Sequence, residues 1–373
     1  MPDKHLHIVM HDVPYPADFG GVIDLFYKIR SLHHFGIKIH LHCFTKSRKQ
    51  QEELNKYCIS VTYYERDTNF SGISFRLPYI VNSRRSATLL RNLQKDNYPI
   101  LLEGIHCTYH LQAGKLNDRQ IFLRLHNIEF EYYYNLARNE NSITRKLFFL
   151  NESRLLKRYE KRIANKAMII AVSKQDEQLY QQLFFAKQTS FLPVFVPYNS
   201  INSKKGMGEY CLYQGNLVIN ENEEAVIWLL ENVFNDLPVP FIIAGKDPSH
   251  KLYLLIEKYK HVTLVTNPSD KELQHLIANA QINVLPSFNK TGVKLKLLNA
   301  LFNGRHCLTN KAGVSGSGVE QFCFIAESAA EFKASINHLY EHDFAHLEIQ
   351  QRQNILKYYN NDLNAQQLIS WIH

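Results

Sequence analysis

The chain has 373 residues, long enough for two ordinary domains rather than one core. Its residues are 45% hydrophobic and 12% aromatic, which excludes intrinsic disorder, and no apolar run reaches the length needed to span a bilayer. Lys and Arg total 43 against 35 Asp and Glu, a net charge of +8 that suits an anionic partner such as a nucleotide or an acidic membrane surface.

Short apolar runs alternate with longer helical patterns from end to end, as parallel βα units do. Strands are predicted at 5–10, 37–44, 58–64, 100–103, 121–125, 167–172 and 189–192, with helices at about 21–35, 83–93, 128–138, 143–165 and 174–185. Residues 193–208 contain Pro193, Pro197, Asn199, Ser200, Ser203, Gly206 and Gly208, the composition of a linker. A second strand series follows at 210–213, 239–244, 262–265, 282–285, 306–309 and 322–325, with helices at about 221–234, 251–259, 271–278 and 293–302. Beyond Ala329 the pattern is helical, and Ala365, Leu368, Ile369 and Ile372 form an apolar stripe. That stripe must dock, either back on the first domain or in the second domain's own core. The expected division is 1–192, a linker at 193–208, a second α/β domain at 209–345, and a helical segment at 346–373 returning toward the first domain.

The six cysteines include no C-x-x-C pair, and Cys43, Cys107, Cys307 and Cys323 lie in or beside apolar runs, as buried free thiols do. Residues 5–10 are too short for a secretory h-region and turn polar at His11 and Asp12. A cytoplasmic protein, with peripheral contact at the inner membrane face, is the expectation.

The segment 285–304 carries the clearest chemistry. A buried strand runs into a polar loop, Pro286-Ser287-Phe288-Asn289-Lys290-Thr291-Gly292-Val293, and then into a helix opening with Lys294 and Lys296. Peptide N–H groups at a helix start lack internal partners and carry partial positive charge, so that end attracts phosphate. The two lysines, two positions apart, cannot share one helix face, so at most one lines a pocket. A solvated first turn is the alternative. The string does not match a P-loop.

Gly20 and Gly21, just before a predicted helix, let backbone approach a phosphate closely, or simply make a tight turn. His126 follows a strand end, where ligands gather in open α/β sheets. Glu103, ending another strand, could accept a hydroxyl proton, orient His106, or cap a helix. His5, His7, His40 and His42 alternate along strands and read as structural or exposed. With no H-E-x-x-H, no Cys/His set and no D-x-D, no metal centre is expected. No G-x-G-x-x-G follows the first strand, which disfavours hydride transfer. Arg84, Arg85, Arg154, Lys157, Arg158 and Lys161 suit either solvated helix faces or anionic lipid. They do not interleave with aromatics as in a nucleic-acid module.

Several strings, in order, resemble one family. They are Pro14-Tyr15-Pro16-Ala17-Asp18-Phe19-Gly20-Gly21, Arg124-Leu125-His126-Asn127-Ile128-Glu129 and Ala171-Val172-Ser173-Lys174-Gln175-Asp176 in the first half. In the second half they are Tyr213-Gln214-Gly215-Asn216-Leu217 with Asn222 and Ala225, then Ala244-Gly245-Lys246, then residues 291–304. Together they resemble retaining glycosyltransferase family 4, within the GT-B nucleotide-sugar glycosyltransferases. The resemblance implies an α/β protein of two Rossmann-like domains facing a central cleft, with the C-terminal helix packing back on the N-terminal domain. It further implies a nucleotide-diphosphate sugar as donor, a glycan or lipid-linked saccharide as acceptor, and no cofactor or metal. His126 would lie beside the donor sugar, with Glu103 as the second catalytic candidate. Gly20, Gly21, Gly215, Asn216, Thr291, Gly292, Val293, Lys294, Lys296 and Asn299 would bind the donor.

The sequence departs from the family at three points. Its two glutamates, eight positions apart, align with Thr291 and Asn299, and its basic residue after the first C-domain glycine is missing, since Asn216, Leu217 and Val218 follow Gly215. Lys294 or Lys296 would then supply the charge opposite the diphosphate, and Asn299 would hold the ribose as a neutral donor and acceptor. A catalytically impaired nucleotide-sugar-binding protein and a GT-B sugar-nucleotide epimerase are the alternatives.

Overall fold

The computed structural model describes residues 3–18, 20–46, 48–68, 74, 76–140 and 142–373. The chain divides into two compact units, Met1–Pro197 with Tyr359–His373, and Tyr198–Tyr358.

The first unit begins with β1 (His5–Met10), α1 (Gly20–His34), β2 (Lys38–Thr45), β3 (Ser60–Glu65), α2 (Tyr79–Asn82), α3 (Ala87–Leu93) and β4 (Ile100–Glu103). It continues through α4 (Tyr109–Gln112), β5 (Ile121–Leu125), α5 (Glu129–Asn139), α6 (Ile143–Ile163), β6 (Met168–Ala171), α7 (Lys174–Phe184) and β7 (Thr189–Phe191). The strands form a seven-stranded parallel sheet in the order β3-β2-β1-β4-β5-β6-β7. β4 and β5 are buried along their whole length, which is why they read as unbroken apolar runs rather than alternating ones.

The helix predicted at 83–93 is confined to α3, because Ser86 caps it, its side chain accepting from the Leu89 N–H; the separate short α2 ends at Asn82. Arg84, expected at the surface, is buried, and its guanidinium donates to the carbonyls of Ile80 (2.7 Å) and His11 (3.1 Å). The alternating histidines pair across β1 and β2: ring nitrogens of His7 and His42 are 2.9 Å apart, and those of His5 and His40 are 3.0 Å apart.

The second unit holds β8 (Cys211–Asn216), α8 (Asn220–Asn232), β9 (Phe241–Lys246), α9 (His250–Ile256), β10 (Val262–Thr266), α10 (Asp270–Asn279) and β11 (Ile282–Val284). α11 (Leu295–Asn303), β12 (His306–Thr309), α12 (Lys311–Val314), β13 (Phe324–Ile325), α13 (Ala329–Tyr340) and α14 (His346–Arg352) complete it. Its six-stranded parallel sheet runs β10-β9-β8-β11-β12-β13. A Cβ at Gly245 would lie 2.3 Å from the Gly215 carbonyl oxygen, so the ends of β8 and β9 approach as closely as they do only with glycine there. Buried Arg352 donates to the carbonyls of Leu301 (3.2 Å) and Gly304 (2.6 Å), closing the C-terminal end of α11 with a cation where its dipole is negative.

The last helix, α15 (Asn361–Ile372), returns to the first unit and packs on α1. Ala365, Leu368 and Ile372 join the core beneath β1 and β2 beside Leu25 and Ile29, so the apolar stripe docks on the N-terminal domain. Asn361 fixes the return, exchanging hydrogen bonds with both backbone groups of Val196 at 3.0 and 2.7 Å. Among the described residues, no helix is long and apolar enough to cross a membrane.

Candidate functional site

In each sheet the candidate residues gather at the C-terminal ends of the strands, where open α/β folds place ligands. Gly20 and Gly21 are exposed and open α1; Phe19 of the same string lies outside the described residues. One turn on, α1 turns Asp24 and Lys28 inward. Lys28 Nζ donates to Glu103 Oε1 at 2.7 Å and to Asp24 Oδ2 at 3.2 Å. Asp24 also accepts from Arg124, at 3.1 and 3.2 Å, and from the Phe195 N–H at 2.7 Å. The remaining Arg124 donors reach the carbonyls of Leu192 and Pro193 at 3.0 and 2.9 Å. Two buried carboxylates thus face two buried cations, and each lone charge that would be ruinous alone is matched.

His126 completes this cluster, with Nε2 3.0 Å from Glu103 Oε2 and Nδ1 3.7 Å from Asp24 Oδ2. Burial alone would raise the Glu103 carboxyl, but Lys28 and the His126 hydrogen bond outweigh it and hold the group at about 2. For Asp24 the same contest against burial is won by Arg124 and Lys28, leaving its carboxyl well below the usual range. Glu103 has no exposed surface, so of its expected roles the geometry leaves orientation rather than proton acceptance, and the residue it orients is His126, not His106. His106 is placed by Gly104 (φ 82°), where a Cβ would come within 3.0 Å of His106 Nδ1. His11 stacks on His106 at 4.9 Å and meets His126 edge-on at 5.8 Å. Burial lowers His11 to about 3 and His106 well below its ordinary value, so both rings stay neutral.

Ligand atoms of Asp24, Glu103 and His126 lie within 4.8 Å of one another, a spacing that could suit a metal ion. The donor set does not fit one. Lys28 Nζ touches both carboxylates and Arg124 clasps Asp24, so the positive charge a cation would bring is already built in.

The second cluster forms where β8 ends and α11 begins. Gln214 Nε2 donates to the Lys296 carbonyl at 2.8 Å, tying the strand to the first turn of the helix. Lys296 Nζ donates to the Tyr213 hydroxyl at 2.8 Å and to Asn222 Oδ1 at 2.9 Å, and lies 4.7 Å from the centre of the Tyr213 ring. Asn222 Nδ2 in turn donates to the Asn216 carbonyl at 2.9 Å. Burial pushes the Lys296 amine down to about 7, against the opposing pull of Glu221 and with help from Lys294.

Lys294 turns the other way. Its Nζ donates to the Thr291 carbonyl at 2.7 Å, closing the loop onto the residue that precedes α11. Within that loop Thr291 donates from its N–H and its hydroxyl to Asn289 Oδ1, at 2.9 and 2.8 Å. Glu221 at the start of α8 accepts from the Ser287 hydroxyl (2.9 Å) and from Asn289 Nδ2 (3.2 Å). Gly292 sits at φ 66°, in the left-handed region, and Val293 beside it is half-buried. Asn299, buried, lies about one turn beyond Lys296. Its Oδ1 accepts from Gln274 and Asn303 at 3.2 and 2.9 Å.

Of the donor-binding candidates in this unit, Asn216 and Lys296 share one hydrogen-bond network through Asn222, Thr291 belongs to a second with Asn289 and Glu221 that Lys294 closes, and Asn299 is anchored on a third. Asp24, Lys28 and Glu221 were not singled out in the sequence, and Tyr213 only as part of a family-like string. Asp24 and Lys28 had a signal: two charges four apart on the otherwise apolar face of α1.

Residues 208–342 match the family model described as "Glycosyl transferases group 1". The crystal structure of TarM, from S. aureus, is similar to this chain with a TM-score of 0.70 and 11% identity, covering 99% of each chain. The lipopolysaccharide outer core galactosyltransferase WaaB is similar with a TM-score of 0.62 and 15% identity, covering 97% of this chain and 99% of its own. An "Uncharacterized 44.6 kDa protein in cps region" of Klebsiella pneumoniae is 28% identical over 332 residues, 83% of this chain and 84% of that protein. The two structural likenesses establish a two-domain GT-B fold, and the family-model match supports a glycosyltransferase.

Proposed function

We propose that this protein is a retaining, metal-independent glycosyltransferase resembling family 4, moving a sugar from a nucleotide-diphosphate donor to a glycan or lipid-linked saccharide. The observation that carries this reading is Lys296, a half-buried amine at the start of α11 whose two hydrogen-bond partners are neutral oxygens. Transfer requires a nucleoside diphosphate to leave while positive charge builds at the anomeric carbon. A half-buried cation at the start of α11 stabilises that leaving group. The diphosphate would restore the amine's protonated form, which burial disfavours in its absence. On the family resemblance, Thr291 contacts the sugar and Asn299 the ribose, with Gly292 and Val293 part of the donor-binding loop. His126 lies beside the sugar on the same ground, with Glu103 as its positioning residue, and Gly20 and Gly21 offer close backbone approach to phosphate.

TarM has been crystallised with UDP, α-GlcNAc-glycerol and fondaparinux, which supports a nucleotide-sugar donor and a glycan acceptor here. The relative named for a cps region supports work on polysaccharide. A lipid-linked acceptor would bring the protein to the inner membrane face.

A thermal-shift panel of nucleotide sugars tests the donor. One of them at 100-fold its Kd should stabilise the protein by about 2.7 kcal/mol. If no nucleotide sugar shifts the transition, the enzyme reading fails. Anomeric analysis of the product then tests retention. Thr291 and Asn299 in place of two acids favour a second reading, a binding protein without turnover; a donor that binds yet is neither transferred nor hydrolysed would establish it.

A further inference from the structure

α6 is split lengthwise by its burial. Its second half is anchored by Leu155, Leu156, Tyr159 and Ile163, but eight of the nine residues from 143 to 151 are exposed. Those first turns carry Ile143 (75% exposed), Leu147 (62%) and Leu150 (37%) into solvent. Spacings of four, three, four, four and three residues place Ile143, Leu147, Leu150, Arg154, Arg158 and Lys161 on one face. One solvent face of a 21-residue helix is thus aliphatic at its N-terminal end and cationic along the rest.

The charge on that helix is one-sided. Its only acids, Glu152 and Glu160, are buried and committed inward: Glu152 accepts from the Tyr79 N–H at 2.7 Å, and Glu160 from the Glu129 and Phe130 N–H groups at 3.1 and 3.2 Å. Arg145, off this face, pairs with Glu140 at 3.1 Å. Every exposed charge on α6 is therefore basic. Cations alone would describe a solvated face, and aliphatic side chains alone an aggregation hazard. Both on one face match the boundary of an anionic bilayer, where apolar tips enter the acyl region while Lys and Arg lie among phosphates.

We propose that this face of α6 is the surface by which the protein docks on anionic lipid bilayers. It stands on α6 alone and not on donor binding, and it gives a lipid-linked acceptor a place to be met. Arg84 takes no part, being buried.

The test is co-sedimentation of the full chain with phosphatidylcholine vesicles, with and without phosphatidylglycerol, at low and high salt. Two variants accompany the wild type: Arg154→Gln/Arg158→Gln/Lys161→Gln, and Ile143→Ser/Leu147→Ser/Leu150→Ser. All substituted side chains are exposed, and circular dichroism verifies the folds. The wild type should bind only the anionic vesicles and release as salt screens the attraction. Loss of three cations should weaken binding by about 100-fold, and loss of the aliphatic tips by about tenfold. Nucleotide stabilisation should be the same in all three proteins, which separates failure here from failure of the donor reading. The proposal is overturned if the wild type ignores anionic vesicles at low salt, or if both variants bind as it does. It is equally overturned if light scattering shows a dimer that the Ile143/Leu147/Leu150 variant disperses, because a second copy then covers this face.

Discussion

Lys28 in the first unit is fully buried and Lys296 in the second half-buried, both at the C-terminal ends of parallel sheets, and their partners differ in kind. Lys28 is gripped by two carboxylates, at 2.7 and 3.2 Å. Lys296 bonds to a phenol and an amide oxygen, at 2.8 and 2.9 Å. Depth and counter-charge both separate them. The charge opposite Lys28 is part of the fold, so that lysine serves to hold Glu103 and, through it, His126. Lys296 is matched only by the more distant pull of Glu221, which suits it to an anion that arrives and departs.

The contrast breaks most visibly on removing Lys28. Lys28→Ala strands buried carboxylate charge and should cost about 3–5 kcal/mol of unfolding free energy in urea titrations. A loss below about 1 kcal/mol would mean that the cluster does not hold this unit together. Lys296→Met should behave oppositely. Turnover with a cognate donor should fall by about tenfold to 100-fold, the loss of a charge-assisted hydrogen bond. Unfolding free energy should stay level or rise, because an amine disfavoured by burial is gone.

The pH dependence sharpens the same point. With the unliganded amine at about 7 and the diphosphate favouring its charged form, the complex binds more protons than the free protein. Donor affinity should therefore fall as pH rises above 7, by up to about tenfold per pH unit, until the amine titrates in the complex as well. Lys296→Arg, charged throughout, should flatten that slope in calorimetric titrations. The smallest effect belongs to Lys294→Ala: its amine is spent on the Thr291 carbonyl, so donor affinity should drop by about 1 kcal/mol or less.

How much of this the residues disclose depends on the range of each interaction. The parallel sheets are legible because strands covered on both faces must be continuous apolar runs, and α15 is legible because a terminal apolar stripe has to dock. The divergence of Lys294 and Lys296 is as expected, but its cause is not helical spacing: Lys294 precedes α11 in an extended conformation and turns back to the Thr291 carbonyl. The Asp24–Lys28–Glu103–Arg124 cluster is not legible, since its members meet only when β4 pairs with β5 and α1 covers the sheet. Glu103 illustrates the cost of reasoning locally. His106, three residues away, looked like its partner, but parallel pairing sets Glu103 beside Arg124 and so brings His126 within 3.0 Å. Arg84 misleads for the same reason: the carbonyls that draw its guanidinium inward include that of His11, far off in sequence.

Calorimetric titration of wild type and Lys296→Met with a nucleoside diphosphate, and with the nucleoside lacking phosphate, bears most directly on where the donor's charge rests. The wild type should prefer the diphosphate by about tenfold or more, and Lys296→Met should bind the two alike. A variant that keeps the full preference would place the diphosphate elsewhere and contradict the role given to α11.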